Sequence, residues 1–530
     1  MTRRRLLPLM AACIGLDAYA TTQPIAWGAC SESMVGAAWP DLGERLRCAR
    51  VAMPLDHDHI DERRIEVGVV RISAAQPSRR EGTIFFNVGG PGGQPAQYLA
   101  SMLSSFGAAE ASDPLHGRKR ELSDRFDFVA VIPRGLKGGW EYDCMSGITD
   151  KHAFLPTHDD DANWAKAAAD AGRVAGACTR SVESAYISTW QHVHDMEAIR
   201  VALGESRIHF YGLSYGGKVG AWYTSLFPQR VDRLLLDSSF YFAGDYTTAI
   251  HLSLDAQQAR FESDVLAPLL RDPARWGQST FPGDAQRALK SLRPELRPAW
   301  HDQLLETADV AAALSMSRQV HTTGWLGWDR LRQDFAGMRL SDDPDIEAGI
   351  RRAGTRLLQR GGERDADAAM GAFEANPYIG MLGESVYRAV LCNDDNWLWR
   401  LPTFREAARR DADTYLTADG EHSMLTLTCA AWRHPQTPQP NLDPMVSKPY
   451  VLLQAEFDIA TPAAAARVTT RYFPGARLLF VLGAREHGLL GRTATPCIER
   501  DAARYLLDGT LPRDTPGETS CEFVPVPGEA

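Results

Sequence analysis

The fold of this chain is decided by the stretch Ile208-His209-Phe210-Tyr211-Gly212-Leu213-Ser214-Tyr215-Gly216-Gly217. An apolar run leads into a Gly-x-Ser-x-Gly pattern centred on Ser214, and the apolar residues that follow predict a helix starting near Tyr215. This pattern indicates a nucleophile elbow, a sharp turn between a strand and a helix that holds the serine at strained backbone angles. Glycines flank the serine because larger side chains would collide across the turn. The serine hydroxyl is therefore predicted to project over the strand ends, beside the partly positive start of the helix.

Short apolar runs alternate with helical stretches on both sides of the elbow. The strand-like runs are 64–72, 83–88, 126–132, 208–213, 234–236, 450–454 and 477–482. A helix is predicted around residues 193–203, whose apolar positions have helical spacing and precede Gly204. Such alternation is typical of a mostly parallel sheet with helices on both faces, and with the elbow it predicts the α/β-hydrolase fold.

The region from about 240 to 434 interrupts this alternation, because it is helical in character and has no strand-like run. Strand-like runs return only at 450–454 and 477–482. An insertion at the carboxyl ends of sheet strands lies over the active site, so this one is predicted to be a large helical cap. The predicted division is a core segment at 21–243, a cap at 244–435 and a second core segment at 436–530.

A serine nucleophile needs a base, and the base needs an acid that orients it. In this fold the three residues follow the chain order serine, acid, histidine, and each stands just after a strand. Asp458 and His487 follow the last two strand-like runs. We therefore predict a catalytic triad of Ser214, Asp458 and His487. Asp237, at the end of the strand after the elbow, is the rival candidate for the acid.

An oxyanion formed during catalysis needs backbone N–H donors. One donor is predicted at Tyr215, the residue after the nucleophile, and the other at Gly90 in the glycine-rich turn 89–93. Glycine there lets a substrate carbonyl approach the backbone closely. A phosphate-binding loop is a poor alternative, because the G-x-x-x-x-G-K-[ST] pattern is absent from the sequence.

Four motifs together resemble a known family. They are Gly-Gly-Pro-Gly at 89–92, Pro-Arg-Gly at 133–135, Tyr-Gly-Leu-Ser-Tyr-Gly-Gly at 211–217 and Phe-Asp-Ile-Ala-Thr-Pro at 457–462. This combination is similar to the secreted tripeptidyl aminopeptidase and prolyl aminopeptidase group of α/β-hydrolases. Residues 427–432, with Cys497 and Cys521, resemble the C-terminal module of the tripeptidyl branch. The resemblance implies an exopeptidase that removes short units from peptide N-termini through the same triad.

Three positions depart from the family pattern. Val88 stands where the family has the histidine of His-Gly-Gly-Pro-Gly, and Ile132 stands where it has the aspartate of Asp-Pro-Arg-Gly. Ser238 replaces the glycine of Leu-Asp-Gly after the elbow helix. None of the three is a triad residue, so the departures bear on substrate specificity.

An aminopeptidase has to bind the free ammonium group of its substrate, which requires a carboxylate in a partly desolvated pocket. One branch of the related enzymes carries Cys-x-Glu-Asp in the cap, and the nearest match is Cys392-Asn393-Asp394-Asp395. The candidates are therefore Asp394, Asp395 and Glu384, in that order. The alternative is that these residues form a solvated helix face.

Composition excludes several classes of function. The 530 residues carry a net charge of −10 without a basic patch, so a nucleic-acid partner is not expected. No Cys-x-x-Cys or clustered Cys/His spacing points to a metal, and no cofactor is expected. No segment after the N-terminus is long and apolar enough to be transmembrane. The oligomeric state stays open.

The N-terminus and the cysteines both point to export. Residues 1–20 combine a basic start, a short apolar stretch and an Ala-x-Ala cleavage site, as in a signal peptide. A lipoprotein signal ending at Cys13 is the alternative. Eight cysteines follow, for which sequential pairing is the simplest prediction and free buried thiols the alternative: Cys30, Cys48, Cys144, Cys178, Cys392, Cys429, Cys497 and Cys521. The predicted location is the periplasm or the outside of the cell.

Three functions remain open from the sequence. The first is a secreted serine aminopeptidase with a peptide substrate, releasing tripeptides or single residues such as proline. The second is an esterase or lipase on the same scaffold, since both reactions use the triad and the oxyanion hole. The third is a catalytically inactive binding protein, against which the complete set of Ser214, Asp458 and His487 argues.

Overall fold

The fold is taken from a computed structural model. It describes residues 24–35, 42–60, 63–148, 160–278, 304–362, 377–397, 401–415, 420–437 and 439–526, together with positions 289, 292, 293, 296 and 300. The predicted signal peptide at 1–20 and its alternative at Cys13 lie outside these residues. Every helix within the described ranges is too short or too polar to cross a bilayer.

A single sheet of nine strands forms the centre of the described chain, in the spatial order β1-β2-β4-β3-β5-β6-β7-β8-β9. The strands are β1 Leu46–Pro54, β2 Arg64–Ile72, β3 Gly82–Asn87, β4 Phe126–Val131, β5 Ile208–Leu213, β6 Val231–Asp237, β7 Tyr450–Ala455, β8 Ala476–Leu482 and β9 Gly517–Glu522. Only β2 runs against its neighbours, β1 and β4, and the other described pairs are parallel. The predicted mostly parallel sheet is confirmed.

The central strands are apolar along their length because they are covered on both faces. Every residue of β4, β5 and β7 is buried. Side chains alternate between the two faces of a sheet, so a strand buried throughout needs apolar residues at consecutive positions. This is why β2 to β8 correspond to the seven strand-like runs of the sequence.

The two edge strands differ from the sequence prediction. No strand was expected after 477–482, yet β9 pairs in parallel with β8, from Arg477 opposite Gly517 to Leu482 opposite Glu522. Its sequence Gly-Glu-Thr-Ser-Cys-Glu is polar and largely exposed, so it lacks the apolar signal. β1 precedes the first predicted strand, and its arginines and alanines weaken the alternation.

Helices cover both faces of the sheet and form the region between β6 and β7. They are α1 Glu32–Val35, α2 Pro95–Ala108, α3 Gly117–Arg125, α4 Asp161–Cys178, α5 Thr189–Ala202, α6 Gly216–Leu226, α7 Tyr246–Arg260, α8 Ala267–Arg271, α9 Thr307–Thr323, α10 Trp328–Gly337, α11 Pro344–Gly362, α12 Pro377–Asp394, α13 Leu401–Thr414, α14 Glu421–Ala430, α15 Asp443–Val446, α16 Ala463–Tyr472 and α17 Ala503–Asp508. A π-helical turn, Phe261–Leu266, joins α7 to α8, and another, Cys497–Ala502, leads into α17. Short 3-10 turns occur at Gly43–Arg45, Pro77–Arg79 and Val182–Tyr186.

Two helices position the elbow. α5 is the helix predicted around 193–203, and it begins where the Ser188 hydroxyl accepts the Gln191 N–H at 3.3 Å. It ends two residues before Gly204, which has a φ of +73°. α6 begins at Gly216, directly after Tyr215, as the elbow pattern predicts.

All regular secondary structure among the described residues between β6 and β7 is helical, with no strand. Those of α8 to α11 build a hydrophobic cluster of their own, which includes Leu269, Leu314, Phe335 and Leu357. α14 packs against α4, and α12 packs against α5, so the later helices are joined to the sheet layer. The domain limits 244 and 435 stay a prediction.

Four disulfides confirm the sequential pairing of the eight cysteines. They join Cys30 to Cys48, Cys144 to Cys178, Cys392 to Cys429 and Cys497 to Cys521. The third ties the end of α12 to α14, and the fourth ties the turn before α17 to β9.

Candidate active site

Ser214 stands at the turn between β5 and α6 with a φ of +58°, in the left-handed region that non-glycine residues rarely adopt. The neighbouring glycines are sterically required. A Cβ atom on Gly212 would lie 2.3 Å from the Gly216 oxygen, and one on Gly216 would lie 2.4 Å from the Asn87 oxygen. Backbone hydrogen bonds hold the turn, since the Ser214 N–H donates to Asp237 O at 2.9 Å. The elbow geometry therefore follows from the sequence pattern.

His487 and Asp458 form the hydrogen bond expected of a catalytic pair. The distance from His487 Nδ1 to Asp458 Oδ2 is 2.8 Å, and because an ionised carboxylate only accepts, Nδ1 carries the proton. Asp458 is buried, and its other oxygen accepts the N–H groups of Ala460 at 2.9 Å and Thr461 at 3.1 Å. The His487 side chain is 35% exposed, so its ring is accessible from solvent.

Asp237, the rival acid, has other partners. Its carboxylate accepts the N–H groups of Leu489 and Leu490 at 3.0 Å and the Tyr211 hydroxyl at 3.1 Å. Complete burial raises the pKa of Asp237, and these donors act against that rise. The side chain thus holds the backbone directly after His487, while Asp458 contacts the imidazole ring itself.

Ser238, one of the departures from the family pattern, joins the acid loop to the histidine loop. Its hydroxyl accepts the Gly488 N–H at 2.8 Å, and its carbonyl accepts the Thr461 hydroxyl at 2.8 Å. It has a φ of +46°, so this serine occupies a conformation that favours glycine. A Cβ on Gly488 would lie 2.9 Å from Leu213 Cδ1, which places the histidine loop against the elbow. The structure therefore brings together the three loops that carry Ser214, Asp458 and His487, and their catalytic roles stay a prediction.

The glycine-rich turn packs directly on the nucleophile. A Cβ on Gly89 would lie 2.5 Å from Leu213 O and 2.8 Å from Ser214 Cβ, and Gly89 has a φ of +90°. The Gly89 N–H donates to Asn87 Oδ1 at 2.9 Å. The N–H groups of Gly90 and Tyr215 make no hydrogen bond to any residue that the structure describes. Both predicted oxyanion donors are therefore without a protein acceptor among these residues, and their role stays a prediction.

Asp394, the first candidate for the ammonium site, is buried and already has protein partners. It accepts the Thr189 N–H at 2.9 Å and the Thr189 hydroxyl, and Lys218 Nζ lies 3.6 Å away. The Thr189 hydroxyl also contacts the Tyr215 hydroxyl. Burial raises the pKa of Asp394, and Lys218 opposes this rise. The contacts tie the end of α12 to the elbow.

The other two candidates lie in different surroundings. Asp395 accepts the Tyr246 N–H at 2.5 Å, which joins it to the start of α7. Glu384 forms an ion pair with Arg388 one turn along α12. Its neighbour Gly383 touches the glycine-rich turn, since a Cβ on Gly92 would lie 2.3 Å from Gly383 O. Glu384 is thus the candidate next to a residue that contacts this turn.

The Pro-Arg-Gly motif serves a buried ion network. Arg134 donates to Asp195 at 2.7 and 2.8 Å, and His57 Nε2 lies 2.8 Å from the same carboxylate. Burial raises the pKa of Asp195, but Arg134 and then His57 outweigh it and hold the pKa well below its ordinary value. The network joins β4, α5 and the segment after β1 without containing a nucleophile. Within the described ranges, no group of three or more His, Cys, Asp or Glu side chains is arranged to hold a metal ion.

Sequence comparisons agree with this geometry. Residues 107–334 match the family model described as "alpha/beta hydrolase fold", and residues 416–521 match the model described as "TAP-like protein". The chain has the α/β-hydrolase fold. It is 28% identical to the tripeptidyl aminopeptidase of Streptomyces coelicolor in an alignment of 503 positions that covers 89% of this chain and 84% of the relative. The resemblance to the tripeptidyl aminopeptidase group is confirmed.

Other known proteins match the α/β-hydrolase more weakly or over a shorter range. The serine protease Hip1 of Mycobacterium tuberculosis is 26% identical in an alignment of 226 positions that covers 41% of this chain and 40% of that protein. The solved structure of a proline iminopeptidase from Mycobacterium smegmatis aligns with 14% identity and a TM-score of 0.32, over 86% of this chain and 97% of that one. The relatives and the fold together support its assignment as a serine-type hydrolytic enzyme.

Several residues of the site gave no sequence signal. Asn87 and His192 contact each other beside the glycine-rich turn, and Thr189 links Tyr215 to Asp394. These polar side chains belong to a strand and a helix that the sequence indicates only through apolar positions. Helical periodicity assigns polar residues to the solvent face, so the burial of polar side chains on α5 follows only from the tertiary structure.

Proposed function

We propose that this α/β-hydrolase is an exported serine aminopeptidase that releases short N-terminal units, tripeptides or single residues such as proline, from peptides. The observation that carries the proposal is the 2.8 Å hydrogen bond between His487 Nδ1 and Asp458 Oδ2, next to the strained Ser214 elbow. The tripeptidyl aminopeptidase that aligns with 89% of the chain supports the peptide substrate and the exopeptidase reaction.

In the proposed reaction, Ser214 Oγ attacks the scissile carbonyl carbon while Nε2 of His487 takes its proton. Asp458 holds the ring with Nδ1 protonated, so that Nε2 presents a lone pair, and it stabilises the imidazolium that forms. Breakdown of the tetrahedral intermediate transfers that proton to the leaving amine and leaves an acyl-enzyme at Ser214. Water then attacks the ester with the same histidine as base, which releases the N-terminal fragment.

The N–H groups of Gly90 and Tyr215 stabilise the oxyanion of that intermediate. Two features support this pair. Gly89 packs on Ser214 Cβ, which brings the next peptide unit close to the nucleophile, and the Gly89 N–H is already bound to Asn87. Tyr215 is the N-cap residue of α6, whose partly positive end favours a developing negative charge.

Glu384 is the carboxylate that we now place first for the substrate ammonium, ahead of Asp394 and Asp395. Asp394 is buried and bonded to Thr189 and Lys218, and Asp395 accepts a backbone N–H of α7. A bond to either would have to replace a donor from another element. Glu384 is also paired, but with Arg388 on its own helix in a partly exposed ion pair, and it lies next to the contact between α12 and the glycine-rich turn that packs on Ser214.

The four disulfides support export, because disulfides persist in oxidising compartments. The signal peptide predicted at residues 1–20 gives the route. The proposed location is the periplasm or the outside of the cell, with a lipoprotein anchor at Cys13 as the second choice.

A substrate panel tests the function. Purified protein is assayed on fluorogenic proline, alanine and tripeptide substrates with free and blocked N-termini, and on short-chain esters. We expect cleavage of free-amino substrates that Ser214→Ala abolishes without changing the thermal midpoint of unfolding. Cleavage of esters alone would establish the esterase instead, and equal cleavage of blocked and free peptides would exclude an aminopeptidase. An active Ser214→Ala variant would exclude the serine mechanism.

A second test addresses the ammonium site. Glu384→Gln should lower kcat/KM for free-amino peptides by roughly 100-fold or more, because loss of one partner of a desolvated ion pair costs about 3–5 kcal/mol. Hydrolysis of a neutral ester should be unchanged. Glu406→Gln is the matched control, since Glu406 also pairs with an arginine four residues along a helix of the same region. A selective loss in Asp394→Asn or Asp395→Asn would move the site to that residue.

A further inference from the structure

Asn87 ends β3, directly before the glycine-rich turn, and its buried side chain is bonded at both of its polar atoms. Oδ1 accepts the Gly89 N–H at 2.9 Å. Nδ2 lies 3.1 Å from Nε2 of His192, which belongs to α5. This amide therefore connects the helix before the elbow strand to the turn that packs on Ser214.

The donors and acceptors leave one arrangement of these groups. The Gly89 N–H can only donate, so the amide oxygen of Asn87 has to face it and the amide NH₂ has to face His192. Nε2 of His192 must then accept, which requires a neutral ring with its proton on Nδ1. Burial lowers the pKa of His192 to about 4, with Asp195 raising it and Arg134 lowering it further, so the ring is neutral at neutral pH.

This arrangement determines which N–H groups of the glycine-rich turn can meet a substrate. Asn87 occupies the Gly89 N–H and so fixes the rotation of the Val88–Gly89 peptide unit. The Gly89 carbonyl of the next unit accepts the Gly93 N–H at 3.1 Å, so the two bonds together set the direction of the Gly90 N–H. The next N–H, that of Gly90, is left without a partner among the described residues. The backbone oxygen of Asn87 also lies against Gly216, at the start of α6, where a Cβ would approach it to 2.4 Å. Asn87 thus contacts the segments that carry both proposed oxyanion donors.

We propose that Asn87, held in one orientation by the lone pair of His192 Nε2, is a positioning residue that aims the Gly90 N–H at the oxyanion. The proposal rests on the serine-hydrolase mechanism of the proposed function, but not on the choice between peptide and ester substrates. Neither side chain touches the substrate. Both act through the Gly89–Gly90 backbone.

Replacement of Asn87 should affect the chemical step more than substrate binding. Asn87→Ala removes the acceptor for the Gly89 N–H, so the Val88–Gly89 peptide unit loses one of the bonds that fix its orientation and the aim of the Gly90 N–H becomes less precise. We expect kcat to fall by about 10- to 100-fold with KM changed by less than about threefold, since outright loss of an oxyanion donor typically costs roughly 10²- to 10³-fold in kcat. The same loss should appear for a peptide and for an activated ester, because both form an oxyanion.

His192 offers a conservative rescue. His192→Leu removes the acceptor and should lower kcat by about tenfold, in the direction of the Asn87→Ala effect. His192→Gln supplies an amide oxygen near the position of Nε2, so it should retain kcat within about threefold of wild type. If His192 only filled space, the kcat values of His192→Leu and His192→Gln would be equal.

Thr83→Val is the control for a general loss of stability. Thr83 is buried on the same strand, at the end away from the active site, and its hydroxyl donates to Glu205 at 2.8 Å. Thermal midpoints of unfolding are measured for all variants beside kcat and KM on p-nitrophenyl acetate and on a free-amino tripeptide substrate. Thr83→Val should lower the midpoint without changing kcat per folded enzyme.

Three results would overturn the proposal. They are a kcat of Asn87→Ala within threefold of wild type, an effect of Asn87→Ala on KM alone, and an equal decrease of kcat in His192→Gln and His192→Leu. If Asn87→Ala does not fold, the two His192 variants decide. If wild type cleaves the ester but no peptide, the aminopeptidase proposal fails, while the Asn87 proposal is still judged on the ester.

Discussion

The sharpest test of the triad compares Asp458→Asn with Asp237→Asn, two nearly isosteric changes at buried carboxylates. In Asp458→Asn, one side-chain atom must still accept the Ala460 and Thr461 N–H groups, and only the amide oxygen can do so. The NH₂ group is then turned toward Nδ1 of His487. It donates where the carboxylate accepted, which moves the ring proton to Nε2 and removes the lone pair that has to take the serine proton.

The expected loss in kcat is about 10⁴-fold, the size known for loss of the correct histidine tautomer in a serine protease, and equals roughly 5.5 kcal/mol of transition-state stabilisation. Asp237→Asn is much milder. Its oxygen can keep the place of Oδ2, which accepts Leu489, Leu490 and Tyr211, and the change removes a buried charge. We expect kcat within about tenfold of wild type and a stability change within about 1–3 kcal/mol.

The assay is kcat and KM on one free-amino peptide substrate and one activated ester, with active-site titration to count competent enzyme. Thermal midpoints check that both variants fold. A larger loss in Asp237→Asn than in Asp458→Asn would move the acid to the strand after the elbow. Equal losses would show that neither carboxylate sets the tautomer, and the reasoning from the 2.8 Å contact would be refuted.

Three further predictions concern the turn, acid stability and the disulfides. Gly89→Ala should lower kcat by about 100-fold or more, because its Cβ would collide with the elbow. Gly204→Ala is the control, also at positive φ but in open space, and it should cost only about 1–2 kcal/mol of stability. Equal activities of the two variants would refute the steric argument. Burial lowers the pKa of His192 to about 4, so between about pH 6.5 and 4 the unfolded chain binds a proton that the folded chain does not. The free energy of unfolding should therefore fall as the pH is lowered through this window, by up to roughly 1.4 kcal/mol per pH unit. Denaturant titrations of His192→Gln at several pH values should lack this part of the fall. Replacing Cys392 and Cys429 by alanine should lower the free energy of unfolding by about 3–4 kcal/mol, because the unfolded chain regains the entropy lost on closing a 37-residue loop. Thiol titration of the denatured wild type should detect none of the eight cysteines.

The sequence predicted the parts of the fold in which local pattern and burial agree. The strands β2 to β8 are apolar because the sheet is covered on both faces. The elbow glycines are required because a Cβ at Gly212 or Gly216 would lie only 2.3 or 2.4 Å from a backbone oxygen across the turn. The placement of Asp458 and His487 followed from chain order, since parallel strands end at the same edge. The edge strands could not be found this way, because β9 is polar and exposed and owes its conformation to pairing with β8.

The polar framework around the site was also beyond the sequence. His192, Asp195, Glu197 and Arg200 are all buried on α5, although helical periodicity would assign several of them to solvent. Three of them have a partner from another element: Asn87 for His192, Arg134 for Asp195 and Tyr223 for Glu197. Arg200 pairs with Glu197 on the same helix. Pairs between elements join residues from distant parts of the chain and leave no local pattern. The same is true of Asp237, whose role depends on the loop of residues 488–490.

The pairing of β6 with β7 has a consequence for biosynthesis. These strands are neighbours at the centre of the sheet, yet Leu235 pairs with Val451, so roughly 200 residues are synthesised between them. Until the second strand arrives, the emerging chain has an unpaired apolar edge at Leu234–Leu236, which is a template for aggregation. The helices of the intervening region form a hydrophobic cluster of their own, so they can collapse before the sheet is complete. Truncation before residue 450 should therefore yield an insoluble product, and a chaperone that shields strand edges should raise the yield of the full chain.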